Sequence, residues 1–482
     1  MAAEAARRAT PQAARPVVAL GSRDRLLGET VARRIQREVI AAGWQIGTML
    51  GSEADLLERY AVSRSVLREA VRLLEHLGVA RMRRGPGGGL VVTKPDSSAV
   101  VEAVLAYMTY EQVSLDEVLG VRRPIEETSV RLAAGRRTDA DVALLLRLTS
   151  KDETSFDDEF EFHRAIARTT GNPAIELFVE ILNRVSAQFQ APMRLSDARA
   201  RLGARQSARV HRRLAEAIAG GDIDAAQRRM GHHLEAMRGF LTERVLNRRL
   251  GVADVVSSSN GRGPLAPGIA RQIYGEIVAK GWPVGHLLGS EAELLARHSV
   301  SRSVLREALR LLEFNGIVTT RRGLGGGIIV SRPDQAATVE AMASFIESRG
   351  ITPEHLFEVR EAIELAAVDL ASQHIDVGGR QLLETTLEAE RRGELRVAGQ
   401  ALHVCIAEIT RNRVLHLFLY ALTLLAEIHT LERDEINLTN DQALERVQRI
   451  HRAIVDAIVA GDVGLARHRM ERHLVALVPH QH

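Results

Sequence analysis

One long segment occurs twice in this chain, and this duplication constrains the fold more than any other feature. The segment SEADLLERYAVSRSVLREAVRLLEHLGVARMRRGPGGGLVV begins at Ser52, and SEAELLARHSVSRSVLREALRLLEFNGIVTTRRGLGGGIIV begins at Ser290. About two-thirds of the paired residues are identical. The period, 290 minus 52 or 238 residues, is far longer than the repeats of solenoid proteins. The chain therefore consists of two tandem halves, each large enough to hold whole domains.

The similarity continues into the C-terminal part of each half. FHRAIARTTGN at Phe162 pairs with LHVCIAEITRN at Leu402, and VHRRLAEAIAGGDIDAAQRRMGHHL pairs with IHRAIVDAIVAGDVGLARHRMERHL at the same offset of 240 residues. The entire half is thus duplicated. Residues 251–265, rich in Gly, Pro, Ser and Asn, are predicted to form the linker between the halves.

The first part of each half, residues 27–96 and 266–334, has the pattern of a winged helix-turn-helix domain. A helix before Gly43 is followed by a short helix at Glu53–Tyr60, a tight turn and a longer helix at Arg64–His76, whose apolar residues recur at helical spacing. VARMRRGPGGGLVVTKP then alternates around a glycine-rich turn, which predicts a β-hairpin. In such domains the N-terminal end of the longer helix reads the major groove of DNA.

The second part of each half, residues 97–250 and 335–478, shows long amphipathic patterns with short breaks, which predicts an all-α helical bundle. Residues 1–26 are predicted to be a disordered tail. The predicted fold class is mainly α, with two winged helix-turn-helix domains that carry a small β-wing, each followed by an all-α bundle. No apolar run is long enough to span a membrane, and a single cysteine, Cys405, favours a cytoplasmic location.

The start of the longer helix supplies side chains that suit DNA contact. Ser63 is placed to cap the helix, and Arg64 and Arg68 are placed to bind guanine or phosphate. The wing carries Arg84 and Gly85, which suit close approach to the DNA backbone. Because the net charge is only +3, this local cluster carries the prediction, and global charge does not.

Both segments resemble the DNA-binding domain of the GntR family of bacterial transcription regulators. The resemblance is carried by SE-x-x-L, VSRS-x-x-REA-x-x-LE-x-x-G and RRG-x-G-G in each copy. Many members of the family have Arg where this chain has Ala54 and Ala292. The resemblance implies that DNA is contacted by Ser63, Arg64, Ser65, Val66, Arg68, Arg84 and Gly85, and by Ser301, Arg302, Ser303, Val304, Arg306, Arg322 and Gly323.

Regulators with this module usually dimerise, because two-fold protein symmetry matches the two half-sites of a pseudo-palindrome. One chain with two halves has both of the DNA-binding winged helix-turn-helix domains, here called reading heads, that such a dimer needs. The expected partner is double-stranded DNA with two similar half-sites, read by an intrachain pseudo-dimer or by a homodimer of the chain.

Three histidines recur in the bundle of each half. In the first half, Glu159 and His163 share one helix face, and His211 and His233 lie at similar distances on either side of the AGGD turn. In an antiparallel hairpin these side chains lie level, so three imidazoles and one carboxylate converge. This set suits zinc first, with nickel or another divalent transition metal as alternatives, and leaves positions open for a small ligand. The same intervals recur in the second half at His403, His451 and His473.

This set resembles the FCD branch of the FadR subfamily, whose effector domain binds a metal through one Asp and three His. The first half has Glu159 at the position of the Asp. The second half has Gly399 there, with Glu394 or a neighbour as the available substitute, so its site is predicted either to bind metal weakly or to be structural. His232 is predicted to face away from the metal, and Cys405 to be buried packing.

Arg122 and Arg360 occupy the matched segments VRRPIEE and VREAIEL. The resemblance implies that this arginine helps to bind an acidic effector. The alternative is an ion pair at spacing i,i+4 with Glu126 or Glu364.

Together these features predict a non-enzymatic DNA-binding transcription regulator of the GntR type. We expect a repressor whose DNA affinity is controlled by a small carboxylate effector at a metal-containing helical domain. Two alternatives stay open, an acyl-CoA-type sensor without metal and a metallohydrolase fused to DNA-binding modules. The histidines argue against the first, because a long-chain pocket needs no imidazoles, and the lack of a separate general base argues against the second.

Overall fold

The structure, a computed structural model, describes residues 22–85, 87–95, 97–153, 155–190, 198–245, 265–321, 326–392, 398–432 and 441–476. Residues up to Lys94 form one compact unit and residues from Pro95 form another. The described parts are mainly helical and include two three-stranded antiparallel sheets, which confirms the predicted fold class. No described helix combines the length and apolar character needed to cross a membrane.

The first compact unit is a winged helix-turn-helix. Its helices are α1 (Ser22–Ala41), α2 (Glu53–Tyr60) and α3 (Arg64–His76), and its strands are β1 (Met49–Gly51), β2 (Ala80–Arg83) and β3 (Gly89–Val92), in the order β1-β3-β2. The predicted helices and hairpin are confirmed, whereas β1 was missed because three residues are too few to show an alternating pattern.

Helix α1 corrects the predicted end of the tail. The tail was placed at residues 1–26, but the helix begins at Ser22, because its first turn is polar and gives no apolar periodicity before Leu26. The rest of the predicted tail lies outside the described residues. The predicted linker, 251–265, also lies outside them, apart from Leu265, which begins the next helix.

Local chemistry explains why these short elements form. Ser52 caps α2 in a capping box with Asp55, and Ser63 caps α3. Gly89 is required where the strands meet, because a Cβ at this position would lie 2.4 Å from the carbonyl oxygen of Gly51. These features hold the start of α3 and the wing as fixed parts of the domain.

The second compact unit contains the first bundle, the second winged helix and the second bundle. The first bundle consists of α4 (Ser97–Tyr110), α5 (Leu115–Arg136), α6 (Asp139–Leu148), α7 (Phe156–Thr169), α8 (Pro173–Gln190), α9 (Ala198–Gly220) and α10 (Ile223–Val245). The second winged helix consists of α11 (Leu265–Ala279), β4 (Leu287–Gly289), α12 (Glu291–His298), α13 (Arg302–Phe314), β5 (Val318–Arg321) and β6 (Gly327–Val330). The second bundle consists of α14 (Gln335–Ser348), α15 (Pro353–His374), α16 (Val377–Arg391), α17 (Ala398–Ile409), α18 (Arg413–Glu432), α19 (Asp441–Val459) and α20 (Val463–Ala476).

Helix α4 of the first bundle packs against the second winged helix. Ala106 belongs to the same buried cluster as Ile273 and Trp282. The ring of Tyr110 meets that of Trp282 edge-on with centroids 5.6 Å apart, and the guanidinium of Arg332 lies 5.7 Å from the Tyr110 ring centre. The reading head of the second half therefore rests on the bundle of the first.

The two bundles contact one another through equivalent positions of the repeat. The Asn172 amide donates to the backbone carbonyl of His355 at 2.7 Å, and its counterpart Asn412 donates to the carbonyl of Glu117 at 2.9 Å. Phe178 stacks on its own counterpart, Phe418, with ring centroids 4.1 Å apart. The contacts are reciprocal, as in a two-fold interface.

Candidate metal centre and nucleic-acid interface

The start of α3 is built to receive an anion. The Ser63 hydroxyl accepts a hydrogen bond from the Val66 amide at 3.4 Å and lies 2.9 Å from the Ser65 hydroxyl. Unlike α2, this helix has no acidic residue in its first turn and carries the exposed Arg64 and Arg68 instead. Arginines at the positive end of a helix dipole leave an uncompensated positive field, which a DNA phosphate or a guanine edge can satisfy.

Not every predicted contact presents its side chain. Val66 is 3% exposed and packs in the core, in agreement with its place in the apolar pattern of α3. Arg84 and Gly85 are exposed on the wing, where Gly85 adopts a φ of +103° that favours glycine. The neighbouring Arg83 folds back to donate to the Gly87 carbonyl at 3.1 Å.

The second reading head repeats this arrangement. Ser301, Arg302, Ser303 and Arg306 are exposed, and Val304 is partly buried. Glu291 lies 3.6 Å from Arg302 and 3.0 Å from Arg306, so both arginines have an acidic neighbour that DNA must displace. The predicted wing contacts Arg322 and Gly323 lie outside the described residues.

The first bundle brings its four predicted ligands together. Glu159 and His163 lie on α7, His211 on α9 and His233 on α10, and one ligand atom from each lies within 4.8 Å of all the others. The Nε2 atoms of His211 and His233 are 3.2 Å apart, and Glu159 lies 3.7 Å from His233. The fit to a metal ion is good, since the Nε2 atom of His163 is buried without a hydrogen-bond partner among the described residues.

A buried carboxylate orients His163. Glu126 contacts His163 Nδ1, and because a carboxylate only accepts, the neutral imidazole carries its proton on this nitrogen and its lone pair on Nε2. Glu126 in turn accepts from Arg122 Nε at 2.5 Å. Burial alone would raise the pKa of Glu126, but Arg122 and His163 outweigh it and hold the pKa at about 2.

The electrostatics of the cluster favour a cation. Burial lowers the pKa of His211 well below its ordinary range and that of His233 to about 3, with the neighbouring imidazoles adding to the effect. Burial likewise raises the pKa of Glu159. Neutral imidazoles in a desolvated cluster offer lone pairs, so a divalent cation would relieve the polar groups that burial has stripped of water.

Arg122 is fully enclosed by its partners. Its side chain is 0% exposed, and besides Glu126 it donates to Asn183 at 3.1 Å and to Ser186 at 3.3 Å. In the second half, Arg360 Nε donates to Glu364 at 2.7 Å. The ion pairs weighed as the alternative are thus present in both halves, and they lead directly to a histidine of each cluster.

The second bundle brings together three histidines. His473 Nε2 lies 3.3 Å from both His403 Nε2 and His451 Nε2, and Glu364 contacts His403 Nδ1 as Glu126 contacts His163. Burial lowers the pKa of His403, and burial together with the other imidazoles lowers that of His473 to about 2. Among the described residues, which exclude Glu394, no carboxylate oxygen belongs to the group of possible metal-ligand atoms in this half.

Several contributors were missed by sequence reasoning. Glu126 was considered only as a partner of Arg122. Asn183 and Ser186 gave no signal because α8 carries further polar residues, such as Glu180 and Arg184, and its pattern does not single these two out. The two minor expectations agree with the structure, since His232 is exposed and Cys405 is buried, with its sulfur 3.5 Å from the Thr386 hydroxyl.

Comparison with known families matches each part of the repeat. The FCD domain matches residues 117–236 and 355–476, and the family described as bacterial regulatory proteins, gntR family, matches residues 27–91 and 265–328.

Three curated relatives each align with less than half of this chain. It is 27% identical over 216 residues to the putative L-lactate dehydrogenase operon regulatory protein of Escherichia coli (strain K12), covering 44% of this chain and 83% of that protein. It is 27% identical over 214 residues to the HTH-type transcriptional regulator LutR of Bacillus subtilis (strain 168), covering 41% and 95%. It is 25% identical over 224 residues to the HTH-type transcriptional repressor NanR of Salmonella schwarzengrund, covering 44% and 82%. Among solved structures, Streptococcus agalactiae GntR aligns at 22% identity and a TM-score of 0.32, covering 44% of this chain and 99% of that one.

Proposed function

This chain belongs to the GntR family of bacterial regulatory proteins and carries two FCD domains, and from that premise we propose that it is a repressor controlled by a small carboxylate. It is a DNA-binding transcription regulator and not an enzyme, because the matched relatives are regulators, and the metallohydrolase alternative is therefore dropped. The name of one relative refers to an L-lactate dehydrogenase operon, and another is named a repressor, which supports both parts of the proposal. We place the protein in the cytoplasm with its DNA.

The observation that carries the sensor proposal is the buried, unpartnered Nε2 of His163 beside two further imidazoles and Glu159. We assign Glu159, His163, His211 and His233 as ligands of a divalent transition metal in the first half, with zinc first and nickel as an alternative. A bound metal would supply a Lewis-acid position for a carboxylate oxygen. The imidazole cluster argues against an acyl-CoA sensor without metal.

Arg122 and Arg360 are proposed to serve the effector through the histidines. Arg122 holds Glu126, and Glu126 sets the orientation of His163. An effector that shifts His163 would therefore disturb the contacts of Arg122 to Asn183 and Ser186 on α8. Helix α8 is tied to α4 by the ion pair of Arg184 with Glu102 at 2.8 Å, and α4 supports the second winged helix through Tyr110. This chain of contacts is the proposed route from effector to DNA.

The test of the regulator is operator affinity across a panel of small carboxylates, with the operator first selected from random duplexes. At least one carboxylate is expected to change the affinity, and by linkage DNA must change the affinity for that carboxylate by the same factor. An affinity that stays constant across the panel, with metal bound, would contradict the carboxylate proposal. The same duplexes test the reading heads, because a footprint of one isolated half-site would contradict the prediction of two similar half-sites.

Replacing His163 by Ala is expected to remove one metal ion per chain, because it deletes the ligand atom that has no other partner. Elemental analysis of purified protein measures this directly. The matched control is His232→Ala, next to His233 but exposed, which should keep its metal. Equal metal content in both variants would contradict the assignment.

We further propose that the two halves of one chain form a pseudo-dimer. The reciprocal contacts of Asn172 and Asn412 and the Phe178–Phe418 stack support this. Two ion pairs lie in the same interface, Glu117 with Arg413 at 2.6 Å and Arg136 with Glu358. By the offset of the repeat, the first pair corresponds to His355 and Pro173, and the second pair corresponds to His374 and Gly120. These ion pairs therefore form only when a first half meets a second half, and two identical halves would lack them.

Replacing Arg413 by Glu is expected to weaken the interface, because it sets two carboxylates beside each other where Glu117 is largely buried. The midpoint of urea unfolding should fall and the transition should broaden as the halves lose their coupling. Arg411→Glu is the control, because Arg411 is exposed and pairs with Asp376 within its own bundle. An unchanged transition in Arg413→Glu would count against the pseudo-dimer.

A further inference from the structure

The second half has a buried carboxylate at its histidine cluster that the first half lacks. Glu390 is 0% exposed, and its two oxygens lie 2.8 and 3.0 Å from Nδ1 of His451. At the equivalent position of the first half, 390 minus 238, Asp152 is 95% exposed and lies 3.3 Å from Arg212. The difference comes from helix length, because α6 ends at Leu148 whereas α16 continues to Arg391 and carries Glu390 inward.

The geometry separates Glu390 from the ligand position. The two nitrogens of an imidazole lie on different edges of the ring, and Glu390 contacts Nδ1 while Nε2 of His451 lies 3.3 Å from His473. Since a carboxylate only accepts, Nδ1 carries the proton in the neutral imidazole, and Nε2, which faces the other histidines, carries the lone pair. Glu390 therefore fixes the tautomer and the direction of His451 from behind the ring.

The same arrangement holds at a second ring. Glu364 contacts Nδ1 of His403, and Nε2 of His403 lies 3.3 Å from His473. Two of the three imidazoles in this half are thus backed by a buried carboxylate. In the first half, Glu126 contacts Nδ1 of His163 in the same way. The His211 ring instead stacks on the Phe162 ring, with centroids 4.5 Å apart, and the second half has Leu402 in place of Phe162.

We propose that Glu390 compensates for the carboxylate ligand that is lost at Gly399, and that the second half retains a three-histidine metal centre. This inference rests on the proposed metal-binding function of the bundles. A ligand carboxylate contributes negative charge directly to the metal. Glu390 contributes its negative charge indirectly, through a hydrogen bond to the ring. It polarises the Nδ1–H bond and so makes Nε2 of His451 a stronger electron-pair donor to a metal. Glu390 is a positioning residue, and the metal ligands are His403, His451 and His473.

The test uses the full chain with His163→Ala and His211→Ala, so that only the second centre is measured. Zinc affinity is determined by competition with a chromophoric chelator for this parent and for the parent with Glu390→Gln, Glu390→Ala or Glu388→Gln. Glu388 is the control, being exposed and only two residues away. We expect Glu390→Ala to lower zinc affinity by about 10- to 100-fold, Glu390→Gln to lower it less, and Glu388→Gln to leave it unchanged.

A second readout separates positioning from folding and from direct ligation. The visible absorption of bound cobalt reports the ligand set, and it should keep its form in Glu390→Gln, while the helical circular dichroism of the metal-free chains stays equal. Unchanged zinc affinity in a folded Glu390→Ala chain would overturn the inference, as would a cobalt spectrum that shows a lost ligand. A parent that binds no zinc would overturn it too. In that case a His403→Ala chain, which keeps only the first centre, decides between two outcomes. If it binds zinc, the proposed function stands and only this inference fails, and if it binds none, the inference and the proposed metal-binding function both fail.

Discussion

Replacing Glu126 by Ala is expected to destabilise the first bundle by about 3–5 kcal/mol, because it leaves the charge of Arg122 buried without its partner. Arg122 is enclosed on all sides, and the hydrogen bonds to Asn183 and Ser186 do not neutralise its charge. The midpoint of urea unfolding, measured with metal removed by a chelator, reports the loss. Removal of metal matters because Glu126 also orients a proposed ligand, His163.

The neighbouring Glu127 is a matched control. It pairs with Arg123 at the same i,i+4 spacing and a similar distance of 2.9 Å, but the arginine is more than half exposed. Glu127→Ala should cost less than about 1 kcal/mol, because solvent screens an exposed pair. Equal effects of the two substitutions would show that burial does not amplify the Arg122–Glu126 interaction.

The combined loss of Arg64 and Arg302 is expected to weaken specific operator binding by about 2–6 kcal/mol, from about 1–3 kcal/mol for each arginine–base contact. Both side chains are exposed on the first turn of a helix without acidic residues in that turn. If one chain reads two similar half-sites, each single substitution should cost about half of the total. Fluorescence anisotropy at one fixed salt concentration, with a selected operator and an unrelated duplex, measures the change.

The control is the pair Arg72→Ala and Arg310→Ala on the same two helices. These arginines lie two turns further on and face Glu69 at 2.9 Å and Glu307 at 3.6 Å. They should alter operator binding and unrelated-duplex binding little and equally. If Arg64→Ala with Arg302→Ala weakens both duplexes to the same extent, these arginines bind phosphate and do not read bases.

The sequence alone was sufficient for the winged helices, because their determinants are local. Ser52 and Ser63 cap helices within three residues of their own position, and the apolar spacing of α3 correctly places Val66 in the core. The assignment of Val66 to DNA contact came from resemblance, and because its side chain is buried, only its backbone is left for such a contact. The convergence of His211 and His233 was also predictable, since helix rise and one turn set their level.

Only the tertiary structure decided which carboxylates contact the Nδ1 atoms of the histidines, and which domains the helical bundles pack against. Glu126 reaches His163 across 37 residues and Glu390 reaches His451 across 61, and periodicity along one helix carries no information about the face of another. The support of the second winged helix by Tyr110 and the reciprocal contacts of Asn172 and Asn412 likewise join segments far apart in the chain. The repeat by itself determined that there are two reading heads and two histidine clusters. The packing of buried charges between helices decided how the two clusters differ. Because α16 is longer than α6, Glu390 is buried against an imidazole, whereas Asp152 at the equivalent position is exposed.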